Sequence, residues 1–362
     1  MLKSLAIYLN DSNEYFFYKI LKLFFKGTPI DNDNKVLFVS LSGLGDLILA
    51  HLILNNINSK KVYLLFSAEH ESIFINYSGD VNLIPIHRKK YKFNPIYKIL
   101  ILRKIANLNI STSINMNRSR CLLDDQLTLI SGKNNKLALS FQPKHFRNYF
   151  RKKIEMEYTS ILFNDSESEY HKIVSLVNIL GYPLTQKSPK LYYPLEVFSI
   201  HENQKVVIIN PFSSYPFREW SLANYLEIVN WMCENYNYKV ILVGKNRFSK
   251  TIKFQNVNFV NMIHKFALNE IVPLMNNASL FIGNDSGLAH IAKSLCIPRI
   301  IIAGGGSHGH YFPYLDGTNE ILLYNYLDCF GCEWACKYKQ PYCLTEVSID
   351  SVKKSIVALL HI

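Results

Sequence analysis

Residues 281–308 read FIGNDSGLAHIAKSLCIPRIIIAGGGSH, and their pattern decides the fold. An apolar run at 280–282 meets Gly283, Asn284, Asp285, Ser286 and Gly287; a segment with helical spacing follows at 288–295, then a β-branched run at 298–302. The order is strand, tight polar turn, helix, strand. It places polar and glycyl residues at a helix N-terminus, where unpaired backbone N–H groups and the positive end of the helix dipole form a seat for phosphate oxygens. Asp285 would sit badly beside a bare phosphate, so a sugar hydroxyl or the turn backbone is its expected partner. The stretch predicts a nucleotide or sugar-diphosphate site.

The same alternation recurs outward from this stretch. Upstream lie strand-like runs at 206–209, 239–243 and 257–260, with the loop NPFSSYPFREW at 210–220. Ser221 caps a helix in which Leu222, Tyr225, Leu226, Val229 and Met232 repeat at helical spacing. Further back, runs at 36–39, 62–66, 83–86, 111–116 and 136–140 alternate with helical stretches. This α/β alternation favours parallel, doubly wound sheets whose ligands lie off the carboxyl ends of the strands. With 362 residues there is chain enough for two such domains, and YPLTQKSPKLYYPLE at 182–196, carrying three prolines, reads as the linker between them.

Hydrophobic residues make up 49% of the chain, which excludes a disordered protein, and no segment reaches the ~18 uninterrupted apolar residues of a membrane span. The net charge of +12 is uneven: residues 1–180 hold 24 Lys+Arg against 15 Asp+Glu, the remainder 16 against 13. The first half is therefore expected to face an anionic partner or surface, against the plainer reading of a solvated basic face. Basic and aromatic residues mix at 144–153, but no recognised nucleic-acid motif appears, so nucleic acid is not expected. The odd count of seven cysteines fits a reducing compartment. With no secretory signal pattern at the N-terminus, the expected location is the cytoplasm, with peripheral attachment to a membrane face as an option. That option rests on 14–27, EYFFYKILKLFFKG, where Lys19, Lys22 and Lys26 share one helical stripe and Phe16, Phe17, Ile20, Leu21 and Phe24 spread over the other side. A helix packed on the first domain is the alternative.

Three places hold candidate chemistry. In SLSGLGDLILAHLIL, a turn with Ser42, Gly43, Gly45 and Asp46 joins a strand to an apolar helix; the glycines admit close approach of a ligand, and Asp46 is either a base or a helix-terminal carboxylate. Arg118 and Arg120, in NRSR directly after a strand, suit bidentate contact with an anionic acceptor. Arg218 stands between a strand end and a helix start, where it would neutralise a departing phosphate or form a surface salt bridge.

Together these stretches resemble glycosyltransferase family 9, the ADP-heptose:lipopolysaccharide heptosyltransferases. SLSGLGDLILAHLIL, INMNRSRCLLDDQL, NPFSSYPFREWSLANY, IGNDSGLAHIAKSLCIP and CFGCEWACKYKQPYCLTEVSIDSV match in the family's order, from about residue 35 to the C-terminus. The resemblance implies a GT-B fold, with two Rossmann-like domains facing a cleft and a last helix crossing back to the first. The expected divisions are an amphipathic extension (1–34), an acceptor-binding domain (35–185), a nucleotide-sugar-binding domain with a Cys-rich tail (186–347) and the crossover helix (348–362).

The resemblance also implies an inverting transfer without catalytic metal, from an ADP-heptose-like donor to an anionic lipopolysaccharide-type acceptor. Asp46 matches the family's base, and Arg218 the position, often Lys, that stabilises the leaving diphosphate. Asn284, Asp285, Ser286, Gly287 and His290, with Ser213 and Gly244, fall to the donor, and Gly43, Arg118 and Arg120 to the acceptor. Protein O-heptosylation and a non-catalytic GT-B scaffold are the competing functions; retention of Asp46 with Arg218 favours an enzyme. Two features depart from the family: residues 1–34 have no counterpart, and AGGGSHGHYFPY at 303–314, with His308 and His310, replaces its usual Phe-Gly-Pro-Thr. Cys329, Cys332, Cys336 and Cys343 are spaced to surround one structural zinc or iron, the alternative being reduced thiols.

Overall fold

Two sets of aliphatic and β-branched runs build two separate parallel sheets. The computed structural model describes residues 2–25, 34–41, 43–140, 148–164, 166–192, 205–245, 252, 256–313 and 319–361. The chain divides into one unit of Met1–Glu71 and Ser78–Lys187 and a second of Ser72–Tyr77 and Ser188–Ile362. Ser42, Lys144 and Arg147 lie outside the described residues.

The first unit runs α1 (Leu2–Phe24), β1 (Val36–Ser40), α2 (Leu44–Asn56), β2 (Val62–Ser67), β3 (Asn82–Ile86), α3 (Arg88–Phe93), α4 (Pro95–Ala106), β4 (Thr112–Asn115), α5 (Leu122–Ser131), β5 (Asn135–Ala138), α6 (Tyr149–Glu155), β6 (Ser160–Ile161) and α7 (Glu169–Ile179). Its sheet order is β3-β2-β1-β4-β5-β6, and neighbouring strands are parallel. Leu37, Phe38 and Val39 of β1 are all fully buried, as a strand covered on both faces requires. The chain reverses its winding between β1 and β4, and the carboxyl ends of these two strands mark the ligand side of such a sheet.

Helix α1 begins at Leu2, well before the segment the sequence singled out, and packs on α5 and α6 through Tyr18 and Leu21, both buried. This orientation gives two of the lysines a carboxylate partner. Lys19 Nζ lies 2.6 Å from Glu157 Oε1, Lys22 pairs with Glu157 Oε2, and Tyr18 donates to the same carboxylate. Two of the three lysines thus pair with one carboxylate of the same unit while their side chains stay 45% and 41% exposed, and Lys26 lies outside the described residues.

The second unit runs β7 (Lys205–Asn210), α8 (Leu222–Asn235), β8 (Tyr238–Leu242), β9 (Phe259–Asn261), α9 (Leu268–Asn276), β10 (Leu280–Asn284), α10 (Gly287–Ser294), β11 (Arg299–Ile302), β12 (Glu320–Leu323), α11 (Tyr342–Thr345) and α12 (Ile349–Leu360). The sheet order is β12-β11-β10-β7-β8-β9, again parallel, with the reversal between β7 and β10. Trp220 is buried at the core: its ring meets Tyr225 edge-on at 5.0 Å and its Nε1 donates to Val347 O at 3.0 Å. The last helix, expected to cross to the first unit, packs on α8, β11 and β12 of the second. Val352 and Ile356 are the reason, since both insert fully into that core.

Candidate active site

In the first unit, the turn after β1 delivers Asp46 to the first turn of α2, beside the winding reversal. Gly43 is the N-cap and makes no side-chain cap bond; a Cβ there would meet nothing within 4 Å, so open space lies in front of this backbone. Asp46 is partly buried. Its neighbour across the α2–α7 contact is Glu169, a fully buried residue the sequence reading did not single out. Burial pushes the Glu169 carboxyl above its usual range against the pull of Lys172 and Arg118, and the charge of Asp46 adds to the upward push. Lys172 Nζ bonds Glu169 Oε1 at 2.8 Å and Ser140 Oγ at 2.6 Å, which fixes this charged layer behind Asp46.

The arginines after β4 do not reach outward. Arg118 is buried with Nη1 3.7 Å from Glu169 Oε1, and Arg120 has no exposed side-chain area. Arg120 is held by Glu155 at 3.0 Å, Asp125 at 3.2 Å and the carbonyl of Ser140, with its guanidinium over the Tyr158 ring at 5.1 Å. The acceptor contact expected of Arg120 is thus corrected to a core ion network. Removing one partner from such a network would leave a buried charge uncompensated, which is why it holds. Cations instead gather at α3, where Arg88, Lys89 and Lys92 line a cavity of about 360 Å³ with Asp11, Glu14, Glu69 and Arg151.

In the second unit, the turn at 283–287 is latched from below. Asn284 is fully buried; its Oδ1 accepts from Trp220 N at 2.9 Å and its Nδ2 donates to Pro211 O at 2.8 Å. It therefore ties β10 to the loop after β7. Asn210 Nδ2 donates to Ser286 Oγ at 3.0 Å, so Ser286 is held sideways and does not cap α10. The first N–H groups of α10 are left without a side-chain cap, the condition for an anion seat. Gly244 has φ +117°, and a Cβ would come within 2.5 Å of Asn210 Oδ1, so glycine is required there. Ser213 is engaged within its loop, its Oγ donating to Tyr215 O at 2.6 Å.

Asp285 Oδ2 accepts from Ser307 Oγ at 2.8 Å, and Oδ1 stands 3.9 Å from His290 Nε2. Burial pushes His290 down to about 4 despite the Asp285 charge, so the imidazole is neutral at pH 7 and offers hydrogen bonds rather than charge. Arg218 ends a short 3₁₀ turn, Pro216–Arg218, and its guanidinium lies 5.1 Å from the Tyr215 ring, 5.0 Å from Trp334 and 5.9 Å from Phe217. Its Nε is buried with no hydrogen-bond partner, and no carboxylate pairs with it, among the described residues.

The glycine run has a local cause that the sequence alone did not disclose. A Cβ on Gly305 would meet the Phe330 ring at 2.4 Å, and one on Gly304 or Gly306 would meet Trp334 at 2.5 or 2.4 Å. The run makes room for aromatic rings of the Cys-rich tail. His308 joins the same packing, 5.0 Å from Tyr324 and 5.2 Å from Phe330. The Cys343 thiol accepts from Gly305 N at 3.2 Å. Four thiols gather here, and Cys336 is pushed up to about 11 by burial and then by Cys332, Cys343 and Cys329. The thiol set suits zinc or iron chemically, although no group of three or more ligands stands at coordination spacing among the described residues.

A family model described as glycosyltransferase family 9 (heptosyltransferase) matches residues 147–337. Lipooligosaccharide heptosyltransferase 2 of Campylobacter jejuni serotype O:2 is 21% identical over 285 residues, covering 75% of this chain and 85% of that protein. The glycosyl transferase family 9 structure from Veillonella parvula matches with TM-score 0.66 at 18% identity, over 92% of this chain and 99% of the other. The iron-containing dodecameric heptosyltransferase TibC of enterotoxigenic E. coli, in complex with ADP-D-β-D-heptose, matches with TM-score 0.56 at 15% identity, over 91% and 77%. These likenesses give the fold as GT-B.

Proposed function

The chain belongs to glycosyltransferase family 9, and from that premise we propose that it transfers heptose, or a closely related sugar, from an ADP-sugar to a lipopolysaccharide-core acceptor with inversion at the anomeric carbon. Asp46 takes the proton from the acceptor hydroxyl as that oxygen forms its bond to the anomeric carbon. The bond from that carbon to the diphosphate breaks, and ADP leaves with the electron pair. The turn at Asp285–Gly287 and the start of α10 seat the donor. Asn284 acts one step back, by holding the turn to the Arg218 loop. Acceptor anions are assigned to Arg88, Lys89 and Lys92 in place of Arg120.

The observation that carries this reading is Arg218. A guanidinium held by three aromatic faces, with no carboxylate neutralising it among the described residues, is a preorganised cation of the kind a departing diphosphate needs. The proposal is tested by offering ADP-, GDP- and UDP-sugars with a truncated lipopolysaccharide and weighing the acceptor by mass spectrometry. We expect one added heptosyl unit from ADP-heptose alone. Transfer only from a GDP- or UDP-sugar, or no transfer from any donor, would overturn it.

For the tail we propose a structural ion at Cys329, Cys332, Cys336 and Cys343, which would take no part in the chemistry. A bound cation would reverse the upward push on Cys336 and deprotonate its thiol. Elemental analysis of protein purified under reducing conditions is expected to give about one zinc or iron per chain, as a closed four-thiolate site holds. Absence of both metals would leave the four thiols as packing groups.

A further inference from the structure

Helix α1 is apolar on two opposite faces, and only one of them is covered. Tyr18 and Leu21 close the core of the first unit, whereas Leu9, Phe16, Ile20, Leu23 and Phe24 project outward, the last two 79% exposed. At 100° per residue, Leu9, Phe16, Ile20 and Leu23 fall within one narrow stripe opposite Tyr18. The adjoining helix repeats the arrangement: α4 buries Leu102 and Ile105 and exposes Ile96, Ile99 and Leu100. Both helices lie on α5, joined by Lys98, whose Nζ bonds Glu14 at 2.9 Å and lies 4.7 Å over the Phe17 ring. On the other flank Phe16 meets Phe150 of α6, which meets the exposed Tyr149.

The exposed charge carried by these helices has one sign. Along α1, α3, α4 and α6 the acidic residues are Asp11, Glu14 and Glu155, and each is withdrawn into an ion pair, with Arg151, Lys98 and Arg120 respectively. The exposed charges of these helices are cations, among them Lys89, Lys90, Arg103, Lys104, Lys152 and Lys153. An apolar patch rimmed by cations, with its carboxylates turned inward, matches an anionic bilayer surface: acyl chains receive the stripe and headgroup phosphates receive the rim. No helix among the described residues is long and apolar enough to cross a membrane, so the helices would lie in the interface.

We propose that the outer face of α1 and α4 docks the protein on an anionic lipid bilayer. The inference deepens the reading of a lipopolysaccharide-type acceptor, yet the test below contains neither acceptor nor donor, so its failure leaves the transfer reading standing. The full chain is floated with phosphatidylcholine–phosphatidylglycerol vesicles and with phosphatidylcholine vesicles, while its oligomeric state without lipid is followed by light scattering. The wild type is expected to float with the anionic vesicles. Ile20→Asp with Leu23→Asp should lower the bound fraction at least about tenfold, and Ile96→Asp, on the other helix, should act in the same direction. Arg103→Gln with Lys104→Gln should weaken binding to anionic vesicles alone, as added salt does. Unchanged flotation of the aspartate variants would overturn the proposal. So would a wild-type dimer that these variants convert to a monomer while neither form floats, since the stripe would then be a contact between two copies of the chain.

Discussion

Asp46→Asn is expected to lower the rate of sugar transfer by about 10²- to 10⁴-fold, the contribution of a positioned base, with little change in either KM. The substitution keeps the side chain's size and removes its capacity to take a proton. A purely helix-terminal role predicts a different outcome. The N-cap of α2 is Gly43, and loss of a charge in the first turn alters helix stability by about 0.3–1 kcal/mol, which leaves turnover of the folded enzyme untouched. Kinetics and a thermal melt on the same sample separate the two roles. Transfer within tenfold of wild type would remove Asp46 from the chemistry. The charged layer behind it sharpens the choice: Glu169 is fully buried and pinned by Lys172, so it holds its place rather than reaching an acceptor.

The strands and the polar turn at 283–287 were legible in the sequence because their signals are local. A strand covered on both faces is a continuous apolar run, as 37–39 and 206–209 are, and a polar glycine turn before a helix needs no distant partner to be recognised. What escaped depends on residues far apart in the chain. Arg120 after a strand reads as an outward cation until Glu155, in a helix after β5, is found beside it. The triple glycine reads only as a departure from the family's pattern until Phe330 and Trp334 are seen lying on it. Lys19 and Lys22 read as free cations of a membrane stripe until Glu157 is found paired with both, on a helix that leaves Phe16 and Phe24 exposed. In each case the sequence carried the residue type, while tertiary contact chose its direction.

Arg218→Ala should reduce kcat by about 10²- to 10³-fold, with a smaller rise in donor KM and no change in acceptor KM, because the cation matters most as charge develops on the departing phosphate. The fold should tolerate the change: ring–cation contacts at a partly exposed site contribute about 0.5–1 kcal/mol. Arg218→Lys is the informative companion. Lysine restores the charge but not the flat guanidinium that the rings of Tyr215 and Trp334 face at 5.1 and 5.0 Å, so recovery should be partial. Trp334→Leu should lower kcat in the same sense and by less, since it loosens the cage and leaves the charge in place. That result would tie the tail to turnover through Arg218: Trp334 rests on Gly304 and Gly306, beside the Cys343 thiol that Gly305 contacts. A larger effect of Arg218→Ala on acceptor KM than on kcat would move this residue out of the donor site.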